Sequence, residues 1–153
     1  MKGAGFFILF PAPPKILINN DLEERIASER GLLILETLMR TLNDYFVTAE
    51  IEDVSTASST FVPVPDGGRV IKIITALQGA LTTANAAVSF EIGGTAITGG
   101  GITVAHTSSA AGDVDTAEPT GANRVEEDGT IEMITDGGST GTAKLLVTFV
   151  IRR

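Results

Sequence analysis

The sequence contains no cysteine, no tryptophan, one histidine and one tyrosine in 153 residues. Without cysteine the chain can form no disulfide, thiolate metal site, iron–sulfur cluster or thiol nucleophile. A single histidine excludes every mechanism that requires two imidazole groups. Carbohydrate-binding sandwiches usually stack sugar rings on exposed aromatic side chains, so the shortage of tryptophan and tyrosine leaves no sequence signal for a glycan site.

Basic residues are also scarce, because eleven Lys and Arg stand against nineteen Asp and Glu and the net charge is −8. The acidic excess is shared by residues 1–54 and residues 55–153. Nucleic-acid binding depends on basic side chains that displace counterions from phosphates, so we predict no direct binding to DNA or RNA. No apolar run approaches the roughly 18 to 20 residues of a membrane helix, and we predict no membrane partner.

Small and β-branched residues take the place of these missing types. Hydrophobic residues make up 43% of the chain and charged residues 20%, which is typical of a folded protein. Seventeen glycines, together with many Val, Ile and Thr residues, favour short strands joined by tight turns. The composition predicts a mainly β protein with one main domain and an appendage.

An apolar segment and a proline-rich step begin the chain. Pro11, Pro13 and Pro14 fit neither a helix nor a central strand, so they predict an extended arm over residues 1–18. An exposed FFILF segment would promote aggregation of a monomer, so this chain or a neighbour must cover it. The alternative is that the segment forms a first strand of the core. We predict assembly contacts at Phe6, Phe7, Ile8, Leu9 and Phe10.

One amphipathic helix is predicted from residue 21 to about residue 45. Asn20 and Glu23 have the spacing of a capping box, and apolar residues from Leu22 to Phe46 recur at intervals near three and four. Residues 32–35 would be apolar on all sides of the helix, which is more than packing on one sheet requires. This surface either covers the chain's own sandwich or contacts another protein. We predict further assembly contacts at Leu32, Leu33 and Leu35.

Residues 55–153 are predicted to form an antiparallel β-sandwich, jelly-roll-like and with about eight strands. Alternating apolar residues predict strands at residues 69–76, 87–92 and 130–135, with glycine-containing turns between strands about 8 to 12 residues apart. Two prolines assign residues 61–64 to a sheet edge. From residue 47 the period changes to two, and Val47, Ala49, Ile51 and Val54 predict a strand or an extended lead-in. The polar residues 55–60 then mark a boundary, so residues 1–54 are predicted to be a separate N-terminal arm and helix for anchoring and assembly.

The last predicted strand, residues 144–151, is apolar on both faces. One of these faces must meet the core of the sandwich. The other face must then be covered by the N-terminal helix or by a second subunit. The strand therefore predicts that something docks on the sandwich.

The residues that suggest catalysis do not assemble into a recognisable site. Ser108 and Ser109 follow His106, but neither serine has the GxSxG context of a nucleophile elbow. A triad would need Asp113 or Asp115 to orient the imidazole, and both lie in a Gly- and Ala-rich neighbourhood. A solvent-exposed histidine is the simpler interpretation.

Acidic turns and glycine doublets are the remaining motifs. The Asp-Gly-Gly turns at Asp66 and Asp136 and the acidic residues 126–128 suggest calcium, but they lack the DxDxDG spacing and are what hairpin turns require. The glycine doublets lack the context of a nucleotide-binding loop. We therefore predict no enzymatic activity, no catalytic residue, no cofactor and no metal site.

Three segments carry a resemblance to a known family: FVPVPDGGRVIKIITALQGALTTANAAVSFEIGGTAIT, GGGITVAHTSSAAGDV and TDGGSTGTAKLLVTFVI. They resemble small β-sandwich virion proteins of tailed bacteriophages, of the capsid decoration, cement and head-fibre type. The resemblance covers about residues 60–152 and rests on the style of its strands and turns. It implies a protein on the outside of a capsid, often a trimer at points where capsomers meet, that clamps neighbouring subunits and has no catalytic residue.

The sequence therefore predicts a virion structural protein on the outer capsid surface. Its expected partner is the major capsid protein, bound through the N-terminal 50 residues and the sandwich edges, and its expected state is a homotrimer. The alternative is a receptor- or glycan-binding module of a phage tail or fibre.

Overall fold

The computed structural model describes residues 43–153, and this part of the chain contains ten β-strands and no α-helix. Accordingly, none of these residues belongs to a helix that is long and apolar enough to cross a bilayer. The strands are β1 Asp44–Ile51, β2 Ser58–Pro63, β3 Gly68–Leu77, β4 Ala86–Ile92, β5 Thr95–Ala96, β6 Ile102–Val104, β7 Val114–Ala117, β8 Arg124–Val125, β9 Thr130–Thr135 and β10 Leu145–Arg152.

The strands form two antiparallel sheets of five strands each. The first sheet has the order β1-β10-β3-β7, and β8 also pairs with β3. The second sheet has the order β2-β9-β4-β5, and β6 also pairs with β4. From β1 to β4 the chain changes sheet at every connection, so neighbours in sequence lie in opposite sheets.

Alternating apolar residues give each sheet one buried face. In β10, Leu145, Val147, Phe149 and Ile151 are fully buried, with exposed fractions of 0%. The ring of Phe149 meets the ring of Phe90, in β4 of the other sheet, edge to face at a centroid distance of 5.4 Å. The two inner faces therefore share one core, and the fold is a sandwich-like pair of sheets.

A bulge in β3 sets the position of the residues at its start. Val150 pairs with Lys72 and the next residue of β10, Ile151, pairs with Val70, so Ile71 is the extra residue of the bulge. The strands approach closely here, since a Cβ atom on Gly68 would lie 2.7 Å from the carbonyl oxygen of Arg152. Only glycine fits this position without a backbone shift.

Most of the predicted strands are confirmed. The segments at 69–76, 87–92, 130–135 and 144–151 correspond to β3, β4, β9 and β10, and the proline-containing segment lies in β2 at the edge of the second sheet. Nine strands lie within residues 55–153, where about eight were predicted, and the tenth strand, β1, precedes that segment.

The predicted C-terminal end of the helix is wrong. Asp44 and Tyr45 belong to β1, and so does Phe46, which the helical pattern had included. The physical reason is a period of two that begins at Tyr45, because Tyr45, Val47 and Ala49 pack against the core. β1 also pairs with β10 along its whole length, so the first sheet begins before the predicted boundary at residue 55. The rest of the predicted helix and the arm lie outside the described residues.

Candidate functional site

The outer face of the first sheet carries apolar side chains, threonines and charged residues in register across three or four strands. The residues between the core-facing positions of β1 point away from the core, and the same alternation holds along β10, β3 and β7. We call the resulting three rows the open face. They are Phe46–Val150–Lys72, Thr48–Thr148–Ile74–Thr116 and Glu50–Leu146–Ala76–Val114.

The flanking strands of the open face hold its most exposed apolar residues. Phe46 in β1 is 67% exposed and Val114 in β7 is 59% exposed. Between them, Leu146 and Ile74 on the central strands are half-buried. Six of the eleven residues in these rows are apolar and five are Thr, Lys or Glu, so the open face is a mixed surface with its two most exposed apolar side chains at opposite corners.

Ion pairs border the open face at both ends of β1. Glu50 Oε1 accepts a hydrogen bond from Lys144 Nζ at 2.8 Å. Asp44 accepts two from Arg152, at 2.7 Å from Nε and 2.8 Å from Nη2. These hydrogen bonds hold the pKa of Asp44 below its ordinary value, and the Glu50 carboxylate raises the pKa of Lys144. These four charges are thus paired, whereas Lys72 in the first row has no ion pair among residues 43–153.

The turn before β3 is attached to β1 and to the C-terminus. The hydroxyl of Tyr45 donates to the backbone carbonyl of Asp66, and the Asp66 carboxylate forms an ion pair with Arg153, with Oδ2 2.5 Å from Nη2. The Arg153 guanidinium lies 5.4 Å from the centroid of the Tyr45 ring. Burial, followed by the nearby Asp66 charge, raises the pKa of Tyr45. The Asp66 turn therefore has a structural role.

His106 lies in a loop whose polar groups hydrogen-bond to each other. Its ring Nδ1 is 2.8 Å from Oδ1 of Asn85, and its backbone amide donates to the same oxygen. Ser109 donates to the carbonyl of His106, and Asp113 accepts from the amide of Ala110. No carboxylate among residues 43–153 hydrogen-bonds the imidazole, so the structure does not bring the candidate triad together.

The acidic turn at Asp136 is also structural. Its Oδ1 accepts from the amides of Ala87 and Gly138, both at 3.0 Å. Gly137 has a φ of +69°, and a Cβ there would lie 2.5 Å from the amide nitrogen of Ala57, so glycine is required. Within the described part of the chain, no three His, Cys, Asp or Glu side chains are grouped closely enough to hold a metal ion.

The predicted assembly contacts at Phe6–Phe10 and at Leu32, Leu33 and Leu35 lie outside the described residues. Sequence reasoning did not identify the open face, because Phe46 fitted the helical pattern and because the rows depend on strand register. The one available signal was the strand at residues 144–151, whose second apolar face supplies Leu146 and Val150 of the open face.

Comparisons with known proteins give no family. No family model matches the chain, and no curated protein matches it. Among solved structures, the chain is similar to one in the acidic stable capsid structure of Helicobacter pylori bacteriophage KHP30, with 12% identity and a TM-score of 0.49 over 72% of this chain and 87% of that one.

Two further solved structures share lower scores. Bacillus endospore appendages, described as a novel family of disulfide-linked pili, match with 16% identity and a TM-score of 0.33 over 71% of this chain and 86% of that one. The P-domain of Macrobrachium rosenbergii nodavirus matches with 11% identity and a TM-score of 0.33 over 71% of this chain and 92% of that one. Two of these three structural neighbours thus come from viruses and one from a bacterial appendage.

Proposed function

We propose that the chain is a non-enzymatic structural protein of a phage virion. It decorates or cements the outer surface of the capsid, as a homotrimer that binds major capsid protein subunits. The open face carries this proposal, because it presents two of the most exposed large apolar side chains of the described residues, Phe46 and Val114, on one registered sheet surface. The resemblance of residues 60–152 to phage decoration proteins supports the choice of partner.

The strand order supports the proposal. If the two-residue strands β5 and β8 are left aside and the other eight are renumbered along the chain, the sheet orders are 1-8-3-6 and 2-7-4-5. Two Greek keys wound into a jelly roll have this order, and jelly rolls occur in viral capsid domains. Because lectins and cupins also use jelly rolls, the order is compatible with a virion role and does not select it alone.

The size of the open face indicates that it is one part of a larger interface. Three rows two residues apart span about 13 Å along the strands, and four strands span about 14 Å across them. A standard interface buries about 800 Å² on each partner, which is several times this area. Residues of the N-terminal arm and helix, including Phe6–Phe10, are proposed to supply the remaining contacts.

The loops that hold the candidate catalytic histidine and the candidate calcium-binding aspartate support a non-enzymatic role. The ring of His106 pairs with Asn85, and the Asp136 carboxylate binds backbone amides of a turn. Both groups hold the ends of strands in place. A general base or nucleophile needs instead a partner that activates it toward substrate.

The first test is whether the chain is part of the particle. Virions of the phage that encodes it are purified by density gradient, and their proteins are identified by mass spectrometry. The chain should co-sediment with the major capsid protein at a constant ratio and appear as density on the outer surface in electron cryomicroscopy. Absence from the particles would refute the proposal.

The second test assigns the contact. Phe46→Asp should abolish rebinding of the purified chain to particles that lack it, because a carboxylate would be buried in the patch. Phe61→Asp is the matched control, since Phe61 is 62% exposed but lies on the outer side of the other sheet. Equal loss in both variants, or in neither, would exclude the open face as the contact.

A further inference from the structure

Three arginines lie side by side on neighbouring strands of the first sheet. Arg69 in β3 is directly opposite Arg152 in β10 and directly opposite Arg124 in β8. Val70, Val125 and Ile151, which adjoin them in sequence, are buried in the core, so the three arginines point to the outer side. Opposite positions have Cβ atoms about 5 Å apart, and like charges there destabilise the pair.

The three arginines differ in how their charge is balanced. Arg152 is paired with both carboxylate oxygens of Asp44. Arg124 is 3.5 Å from Glu126, but the two side chains are 73% and 82% exposed, so this pair contributes little. Arg69 has no carboxylate within ion-pair distance among residues 43–153. Within the described part of the chain, the positive charge of Arg124 is therefore only weakly neutralised, and that of the neighbouring Arg69 has no ion-pair partner.

Both of these arginines line an open cavity of about 540 Å³, which we call the arginine cleft. Arg152 and Arg153 also line it, with Asp66 as its one acidic residue, in a chain whose net charge is −8. Backbone atoms of Gly67 and Gly68 form part of its wall. A second cavity of about 460 Å³ adjoins it across Arg69 and Arg124.

We infer that the arginine cleft binds a phosphate dianion, either inorganic phosphate or the terminal group of a phosphomonoester, between Arg69 and Arg124. Each planar guanidinium can donate two parallel hydrogen bonds to one oxyanion. Two guanidiniums on adjacent strands can converge on one tetrahedral group, whose two negative charges match their two positive charges. A single carboxylate carries only one charge and leaves the other arginine unbalanced.

The test is a calorimetric titration of the 153-residue chain with inorganic phosphate and with glycerol phosphate. Arg69→Gln and Arg124→Gln should each weaken phosphate binding by at least about tenfold, because each loses a bidentate charged contact. Lys144→Gln is the matched control, since it also removes one positive charge but lies about 26 Å along β10 from Arg152. It should change the affinity by less than about twofold.

A change of pH separates phosphate from charge attraction in general. The second pKa of a phosphomonoester is about 6, so glycerol phosphate carries one negative charge fewer at pH 5 than at pH 7.5. Its binding should therefore weaken between these two pH values. Sulfate has the same shape and remains a dianion, so its binding should stay constant. A parallel weakening of sulfate binding would contradict a direct dianion contact.

Other outcomes would overturn the inference. These are the absence of saturable phosphate binding, an equal loss of affinity in Lys144→Gln, or tighter binding of a tri-glutamate peptide than of phosphate at the same ionic strength. Melting temperatures of all variants are measured alongside, and Arg69→Lys provides a version that keeps the charge. This lysine variant should bind more weakly than the wild type, because it lacks the planar fork. The inference does not depend on the proposed virion role.

Discussion

The contact between Phe90 and Phe149 is the most direct test of how the two sheets pack. It joins β4 of the second sheet to β10 of the first, and both side chains are buried, with exposed fractions of 1% and 0%. We predict that Phe90→Leu and Phe149→Leu each lower the free energy of unfolding and that the two losses are not additive. Leucine retains apolar packing at each site, so the variants should remain folded.

The expected magnitude follows from burial and ring geometry. A buried apolar exchange of similar volume costs up to about 1.5 kcal/mol, and an edge-to-face aromatic pair contributes about 0.5–1.5 kcal/mol beyond burial. The coupling energy of the double-mutant cycle should therefore be about 0.5–1.5 kcal/mol. Phe46→Leu is the control on the other face of the same sheet, and since its ring is 67% exposed it should change stability by about 0.5 kcal/mol or less.

The assay is equilibrium unfolding in urea followed by circular dichroism, with wild type, both single variants, the double variant and Phe46→Leu. Equal m-values would show that the unfolded states are comparable. Additive losses, within about 0.3–0.5 kcal/mol, would mean that the two rings do not meet and would refute the packing of the sheets. If Phe46→Leu lowered the free energy of unfolding as much as Phe149→Leu does, the assignment of inner and outer faces would be refuted.

Three further predictions concern the ion pair, the close strand contact and the N-terminal arm. Because the folded pKa of Asp44 lies below its ordinary value of 3.8, the ion pair with Arg152 stabilises the fold fully above pH 3.8 and is lost as pH falls through the lowered pKa. At neutral pH the free energy of unfolding of the wild type should therefore be higher than that of Asp44→Asn by up to about 1 kcal/mol. Thermal melts at decreasing pH should show this difference disappear in acid. Gly68→Ala should lower stability by about 1–3 kcal/mol in the same melts, whereas Gly79→Ala, where a Cβ meets only Ala143 at 3.7 Å, should stay within about 1 kcal/mol. Deletion of residues 1–18 should leave the circular dichroism spectrum of the sandwich unchanged and abolish binding to particles; unfolding of the truncated chain would instead place the FFILF segment in the core.

The strands could be predicted where residues alternate strictly and a turn residue ends the run. β4 and β9 satisfy both conditions, since Val88 and Phe90 or Ile131 and Met133 are buried on one face. The second half of β1 could be predicted as a strand or an extended lead-in from the alternation of Val47, Ala49 and Ile51. Its first three residues could not, because the helical spacing of the apolar residues before them continues as far as Phe46. Pairing with β10 decides between the two periods, and pairing between residues about a hundred positions apart is not visible in a local pattern.

The candidate sites were less predictable than the strands. Arg69, Arg124 and Arg152 are separated by 55 and 28 residues in the chain and become neighbours only through β3 pairing with both β8 and β10. The bulge at Ile71 adds a further uncertainty, because one extra residue decides whether Arg69 or its neighbour faces outward. No composition or spacing rule contains this information.

The structure also changes which residues argue for a docking partner. The second apolar face of β10 does not require one by itself, because each of its residues is flanked by two neighbours of the same row, as Val150 is by Phe46 and Lys72. Val150 is only 9% exposed, because it lies on a central strand. Phe46 and Val114 lie on the flanking strands, keep 67% and 59% of their surface exposed, and have a row neighbour on one side only. The argument for a partner on the open face therefore depends on Phe46 and Val114. Substitutions of these two residues should weaken association far more than substitutions of equal size in β10.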